Sequence, residues 1–463
     1  MTDATSAHPV EAGARATTAT AAAGTFLALV AYTVPLTTLP ETATALGADA
    51  GGQAWILSSM SLGLAVALLP TGALADDRGR RLGFVLGAAL LAVASVAGAL
   101  APGTVWLVLA RVLQGVGAAA VIACSLGLIA HVSPDPRART RATGIWGASL
   151  GAGIAVGPLA SAGLAELGGW PAPYWLLAVG SVVLALAGRR WLVESRAAEP
   201  RAVDGVGVVL FSGSLAALLA GLVLGRQGWT SPGVLLLLGV AVVAGAAFPV
   251  WERRRRHPML DLALFRRPAF VAATVAGLAT GAGIISATSY SSTVVQRGLG
   301  STALVGAYVL LAWSVTSVAT SLLARRLPAR VTGQTQLVAG LVGVALGQVA
   351  LTGVAVGDSP LRLVPGLLVA GAASGVLNAA LGRQAVASVP VHLGSTGSGA
   401  NNTARYLGAA IGVTVVSVLV GGGSGSAADV LRGWDAAVLV TAAVSLLGAV
   451  VVLLTGSRAA ART

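Results

Sequence analysis

Lysine is absent from this chain of 463 residues, and all 29 basic residues are arginine. Chemistry that runs through a lysine amine goes with it: there is no phosphate-binding loop ending in Lys and no lysine Schiff base, which argues against nucleotide hydrolysis within the chain. Cysteine is nearly absent. The single Cys124 lies in an apolar run, cannot form an intrachain disulfide, and reads as a small packing residue. Charge is also sparse, at 10%, against 56% hydrophobic residues and 62 glycines, a composition far from that of a soluble domain. This is the composition of a membrane protein. The net charge of +13 does not point to nucleic acid, because the arginines cluster in short loops between apolar runs, which is how a membrane protein sets its orientation. No metal site and no cofactor are expected.

A spanning helix needs about 20 mostly apolar residues. Fourteen such runs start near residues 20, 54, 82, 104, 142, 171, 205, 232, 269, 301, 335, 360, 398 and 435. Continuous Leu/Val/Ala/Gly runs of that length satisfy their backbone as helices rather than as barrel strands. With the N-terminus inside, segments 76–81, 131–141, 189–204, 252–268 and 325–334 fall on the cytoplasmic side. Only Arg226, Arg297, Arg362 and Arg432 then lie outside, in agreement with the positive-inside rule.

The wide cytoplasmic breaks divide the chain into six, two and six helices. Residues 1–18 read as a disordered cytoplasmic tail without the layout of a cleaved signal. The expected order continues with a six-helix bundle over 19–190, a cytoplasmic linker over 191–204, and two extra helices over 205–251. A basic linker over 252–268, a second six-helix bundle over 269–456 and a cytoplasmic tail over 457–463 complete it. Two six-helix bundles flanking a central pathway are a known way to build alternating access. The expectation is an all-α polytopic protein of the inner (plasma) membrane, monomeric, with both termini cytoplasmic.

Two charged features stand out. The loop "GALADDRGRR" packs Asp76, Asp77, Arg78, Arg80 and Arg81 into six residues. A short cytoplasmic turn is expected to be charged, but the spacing says more. Gly72 permits close approach of a neighbouring backbone, Asp76 can cap or pair near a helix end, and Gly79 permits a tight turn. Such a cluster can lock two bundles together in one state and release them in another. The second feature is Arg111 in "LARVLQGVGAAAV", a charge inside the membrane with Gln114 on the same helical face. Such charges serve a pathway, a relay or a pairing role; an arginine seven residues into its run can also snorkel to the interface. A rise of about 1.5 Å per residue puts Ala31 and Tyr32 of the first run at its level. The nearest acid there, Glu41, stands roughly 12–15 Å higher.

Here the chain resembles the major facilitator superfamily, and within it the fourteen-helix drug:proton antiporters, over essentially its whole length. Gly72-x-Leu74-Ala75-Asp76-x-x-Gly79-Arg80-Arg81 is similar to the family's signature loop, and Arg111-x-x-Gln114-Gly115-x-Gly117 to its fourth-helix motif. Gly144, Gly153 and Gly157-Pro158 are similar to its fifth-helix antiporter motif, although Ser161 and Ala162 stand where the family has glycines. "WERRRRHPMLDLALFRRPAF" (251–270) and "NNTARYLGAAIG" (401–412) are similar to the link into the second half and to the thirteenth helix. The resemblance implies export of small organic molecules against protons. Two departures qualify it. Ala31 and Leu36 stand where the family pattern has an aspartate and an asparagine, and "ARRLPARV" (324–331) echoes the signature loop without its aspartate.

Proton coupling needs a titratable group whose surroundings alternate. None of the sixteen acids falls at the centre of a run, and the four histidines lie outside the runs. Glu41 and Glu166, near the outer mouth, are therefore the expected coupling acids, with Arg111 and Gln114 as relay and Asp76 at the inner gate. Tyr32, Ser59, Trp146, Tyr290, Asn378 and Tyr406 are the expected cavity residues. A cavity without a carboxylate favours neutral or anionic substrates over cations, with Arg111 as their anchor. Partners are then a small-molecule substrate, protons and the bilayer. The alternatives are a proton-independent facilitator or exchanger, and a membrane sensor or lipid-binding protein on the same fold.

Overall fold

The computed structural model describes residues 7–196, 204–226, 228–328, 330–421 and 426–460, and no strand occurs among them. The first half comprises α1 (Ala7–Thr33), α2 (Pro35–Leu46), α3 (Ala50–Arg78), α4 (Arg80–Ala99), α5 (Thr104–Val132), α6 (Pro136–Gly168) and α7 (Ala172–Trp191). Two further helices follow, α8 (Gly205–Gly225) and α9 (Pro232–Glu252). The second half comprises α10 (Pro268–Thr280), α11 (Ser286–Thr293), α12 (Ala303–Leu323), α13 (Gly333–Val349), α14 (Val364–Ala387), α15 (Gly394–Gly421) and α16 (Ala427–Ala460). Thirteen helices among the described residues are long and apolar enough to cross a membrane. The fourteenth apolar run is α13, whose 17 residues fall just short of the usual span.

Several boundaries depart from expectation, including α16, which starts at Ala427 rather than near 435 and runs to Ala460; three have a plain local reason. The tail expected over 1–18 is helical from Ala7 onward: alanine is the strongest helix former, and Thr17 Oγ1 donates to the Trp191 carbonyl at the end of α7. Helix α6 starts at Pro136 rather than near 142, because Asp135 caps it, accepting from the Ala138 amide at 2.8 Å, and Pro136 occupies the first turn. The first span breaks between α1 and α2 at Pro35, whose missing N–H cannot bond the carbonyl four residues back, that of Ala31.

Each half has its own apolar core, one around Met60, Leu64 and Ile122 and one around Leu341, Leu377 and Trp434. The halves meet where α3 packs on α15 and where α6 packs on α12 and α14. A third cluster sits beneath both, joining Leu69 and Ala73 of α3 to Leu260 and Leu264 of the basic linker and to Leu393. The extra pair is not wholly peripheral: α8 packs on α3 and α15, while α9 packs on α8.

Candidate functional site

At the end that carries the signature loop, the sequence builds a latch between the halves. Helix α3 ends at Gly79, whose φ of 129° is a conformation that L side chains rarely adopt. The turn places Asp76 and Arg80, both buried, against the start of α15. Asp76 Oδ1 accepts from the Ser395 amide at 2.9 Å and from Arg80 Nε at 2.7 Å; Oδ2 accepts from the Thr396 amide at 2.6 Å and from Thr396 Oγ1 at 2.8 Å. The first-turn amides of a helix lack intrahelical partners and carry its positive dipole end. A carboxylate from the opposite half therefore caps α15. Arg80 extends the latch, donating through Nη1 to Ser195 Oγ at 2.8 Å and through Nη2 to the carbonyls of Val391 and His392, both at 3.1 Å. Arg81 pairs with Glu194 at 3.6 Å on the surface. A Cβ on Gly72 would strike the Ser395 carbonyl, so the close approach expected at this glycine is present. The counterpart loop of the second half has no such device: Arg325 and Arg326 are exposed and no acid stands between them and Val331.

Arg111 is 0% exposed, which sets aside snorkelling. Helices α3 and α5 touch through Gly63 and Gly115, where a Cβ on either would strike the other backbone, and this contact brings the guanidinium under α3. Its Nε donates to the Ile56 carbonyl at 2.9 Å. Nη1 donates to the Ala31 carbonyl at 3.3 Å and to Gln114 Oε1 at 3.4 Å, and Nη2 to the Tyr32 carbonyl at 3.3 Å and to Met60 Sδ at 3.9 Å. All five donors of the arginine are used. The counter-charge that the first run lacks is replaced by carbonyl dipoles, one of them freed by Pro35. Gln114 passes the network on, its Nε2 donating to Ser95 Oγ at 2.9 Å. An arginine so engaged has no donor left for a substrate, contrary to the anchor role expected of it.

Helix α6 stands between the halves with glycines on two faces. A Cβ on Gly153 or Gly157 would meet Leu29 or Thr33 of α1, and one on Gly144 or Gly147 would meet Ser321 of α12. Hydrogen bonds hold α6 on both sides, from Thr37 of α2 to the Pro158 carbonyl at 3.1 Å and from Ser321 Oγ of α12 to the Gly144 carbonyl at 3.1 Å.

A cavity of about 330 Å³ lies toward the opposite end, reaching the surface at Leu36 and Arg297. Its walls come from both halves: Tyr32, Leu57, Ser58 and Ser61 on one side, and Ser289, Tyr290, Thr293, Ala409 and Thr414 on the other. Leu219, Leu222, Val223 and Arg226 of α8 also line it. The α11 wall lies between two π-helical turns, Gly281–Ile285 and Val294–Gly298, a distortion often found at functional sites. Among the described residues no acid lines the cavity; Arg226 and Arg297 do.

Of the expected cavity residues, Tyr32 and Tyr290 line it. Tyr406 touches it indirectly, its ring 6.2 Å from that of Tyr32. Ser59 is buried with its hydroxyl on the Ile56 carbonyl, and Ser58 and Ser61 take its place. Trp146 is packed against Gly382 of α14, and Asn378 is buried in α14 with Oδ1 unpartnered; neither lines the cavity. Glu41 and Glu166 are exposed. Glu41 accepts from the Trp170 amide at 3.0 Å, and among the described residues no hydrogen bond or ion pair joins either acid to Arg111 or Gln114.

Two features escaped sequence reasoning. Arg405, in the quoted "NNTARYLGAAIG", is 4% exposed and its Nε has no partner. Asp204, which caps α8, and Glu252, which ends α9, are both buried. Asp204 Oδ1 accepts from the Gly207 amide at 3.0 Å and Trp251 Nε1 at 2.9 Å, and Glu252 Oε2 from the Leu260 amide at 3.3 Å. Their other oxygens are unpartnered and face each other across the place a Gly207 Cβ would occupy. A proton between them would satisfy both. A long charged loop hides such a pair from sequence, because adjacency across 48 positions is set by how α8 returns along α9.

Comparison with known proteins agrees with this architecture. The sequence profile of the Major Facilitator Superfamily matches residues 21–413. Multidrug resistance protein Stp of Mycobacterium tuberculosis is 30% identical over 395 residues, covering 85% of this chain and 73% of Stp. Puromycin resistance protein pur8 of Streptomyces alboniger is 32% identical over 412 residues, covering 86% of this chain and 80% of the relative. Among solved structures, the human organic anion transporter MFSD10 superposes with a TM-score of 0.68 at 19% identity, covering 95% of this chain and 99% of that one; at that identity the likeness speaks for the fold alone. With two helical halves, a signature-loop latch between them and a profile match across most of its length, the chain belongs to the Major Facilitator Superfamily, as a multi-pass membrane transporter akin to drug-resistance and efflux proteins.

Proposed function

We propose that this protein exports small, apolar organic compounds, drugs or antibiotics among them, by alternating access across the plasma membrane, in exchange for protons. The substrates are neutral or anionic rather than cationic. The signature-loop end faces the cytoplasm, as do both termini. The observation that carries this reading is the Asp76 latch. It joins the halves at one end by bonds that can all be exchanged for water, while a cavity with walls from both halves lies toward the other. That combination suits one of two alternating states. The drug-resistance names of the relatives support export, and a cavity whose described lining has two arginines and no acid supports the charge preference.

A second reading, a facilitator or exchanger that needs no protons, is favoured by one observation: the first span holds Ala31, not an acid, beside Arg111. Everted membrane vesicles from an efflux-deficient host expressing the protein separate the two. Uptake of a panel of matched neutral, anionic and cationic dyes is followed with and without collapse of the pH gradient. Uptake lost on collapse supports antiport. Uptake that persists supports the exchanger, and uptake of no dye, together with unchanged drug susceptibility of the host, removes the export reading.

A further inference from the structure

Arg405 has a buried charge that the protein itself does not use. Its Nε is buried without a partner, and among the described residues no hydrogen bond or ion pair involves its guanidinium. The ring of Tyr406 lies 6.0 Å away, too far for more than a weak cation–π contact. An unpaired charge held away from water is costly unless a counter-charge arrives. Among the described residues none is free to supply it. The three buried acids among them are Asp76, Asp204 and Glu252; the first is engaged on α15 and Arg80, and the other two face each other at the ends of α8 and α9.

The position says what does arrive. Ala409, one helical turn further along α15, lines the cavity, so Arg405 stands about 5–6 Å along the same helix from its wall. Tyr32, which lines the cavity, leans on Tyr406, and the ring of Tyr406 lies 6.0 Å from the Arg405 guanidinium, so one aromatic layer separates the charge from the cavity wall. At the mouth, Arg226 has its own buried, unpartnered Nε and Arg297 is exposed, a run of positive charge that draws anions inward. Resting on the export reading, we propose that Arg405 binds the anionic group of an exported compound, a carboxylate, sulfonate or phenolate, while Tyr32, Tyr290 and Leu222 hold its apolar body.

Three probes of one shape test this: 2-naphthoate, 2-naphthamide and 2-naphthyltrimethylammonium, measured for binding to the purified full chain in detergent and for uptake into everted vesicles. Wild type binds the carboxylate more tightly than the amide, and the ammonium least. Arg405→Gln weakens the carboxylate about tenfold to a hundredfold more than it weakens the amide, and Arg405→Lys recovers most of the difference. A wild type with no preference for carboxylate over amide overturns the proposal without any variant. Equal weakening of all three probes by Arg405→Gln overturns it too, since a structural role does that. So does a carboxylate site that chloride fills equally well and at which acetate matches naphthoate, which marks an inorganic anion as the occupant. Transport of the amide that survives such a result leaves the export reading standing; uptake of none of the three removes that reading instead.

Discussion

Besides Arg80 in the latch, each half of the molecule buries one arginine among the described residues, and the two are opposites. Arg111 in α5 spends five donors on three carbonyls, an amide oxygen and a sulfur, whereas Arg405 in α15 has none of these. Burial alone therefore does not mark a ligand site. What marks it is capacity left over after the protein has used its own acceptors. The acids obey the same division. Asp76 is saturated by four donors and works as a joint, while Asp204 and Glu252 each keep an oxygen without a partner.

The largest effect that tests this contrast is on stability. Arg111→Ala strands the carbonyls of Ile56, Ala31 and Tyr32 and opens a void between α1, α3 and α5, at a cost of about 3 kcal/mol or more. Lysine, with a single point charge, does not span those partners, so Arg111→Lys fails nearly as badly. Arg405→Leu removes a buried charge that had no partner, and such replacements are neutral or stabilising. Thermal unfolding of the purified proteins is expected to show a large drop for the first and none, or a rise, for the second. A comparable drop for both erases the distinction between structural and ligand-binding arginine.

A smaller effect sharpens the same rule among the acids. Asp76→Asn keeps the shape of the latch but has one acceptor oxygen where the carboxylate has two, so its NH2 faces two of the four donors and the bonds that remain lose the carboxylate's charge. Transport is expected to fall about tenfold, the equivalent of about 1.4 kcal/mol, and the signature-loop end to open more often. Ser398, fully buried where α15 meets α5, reports that opening when changed to cysteine, because the native Cys124 is buried and silent. Unchanged labelling of Ser398→Cys by a membrane-impermeant maleimide shows that Asp76 does not hold that end shut.

Most of the fold was legible in the sequence, because spans and loops follow from lengths of apolar sequence and from where arginines lie. The latch was legible in part. Spacing named Gly72, Asp76 and Gly79, but the amides that donate to Asp76, at the start of α15, lie some 320 positions away and no local pattern indicates them. For Arg111 the depth argument put Ala31 and Tyr32 at its level, and both supply carbonyls. The signal not used was Pro35, which frees the carbonyl of Ala31 and so supplies the missing counter-charge. Arg405 stands about seven residues into the run that starts near 398, as Arg111 does in the run that starts near 104. The reasoning that singled out one applied equally to the other. The cavity was the least legible, since Ser58 and Ser61 replace Ser59 by helix rotation alone, and α8 joins its wall only because it packs in the groove between α3 and α15.

That last contact gives the smallest expected effect and the sharpest test of what the two added helices do. If α8 and α9 only enlarge the lipid-facing perimeter, no side chain of α8 affects which compound is carried. Leu222 is half-buried and lines the cavity from α8. Removing its outer methyl groups with Leu222→Ala takes away one apolar wall contact worth about 1 kcal/mol, a change of about fivefold in affinity for a compound that rests on it. Helix α8 is anchored independently of Leu222, by Asp204 at its start and by Ser212 Oγ on the Val66 carbonyl at 2.8 Å, so the melting temperature stays within a degree or two of wild type. The expected outcome is a drug-susceptibility profile that shifts by compound, bulky substrates gaining and small ones losing, at constant stability. An unchanged profile confines α8 to the perimeter and returns the whole cavity to the two six-helix halves.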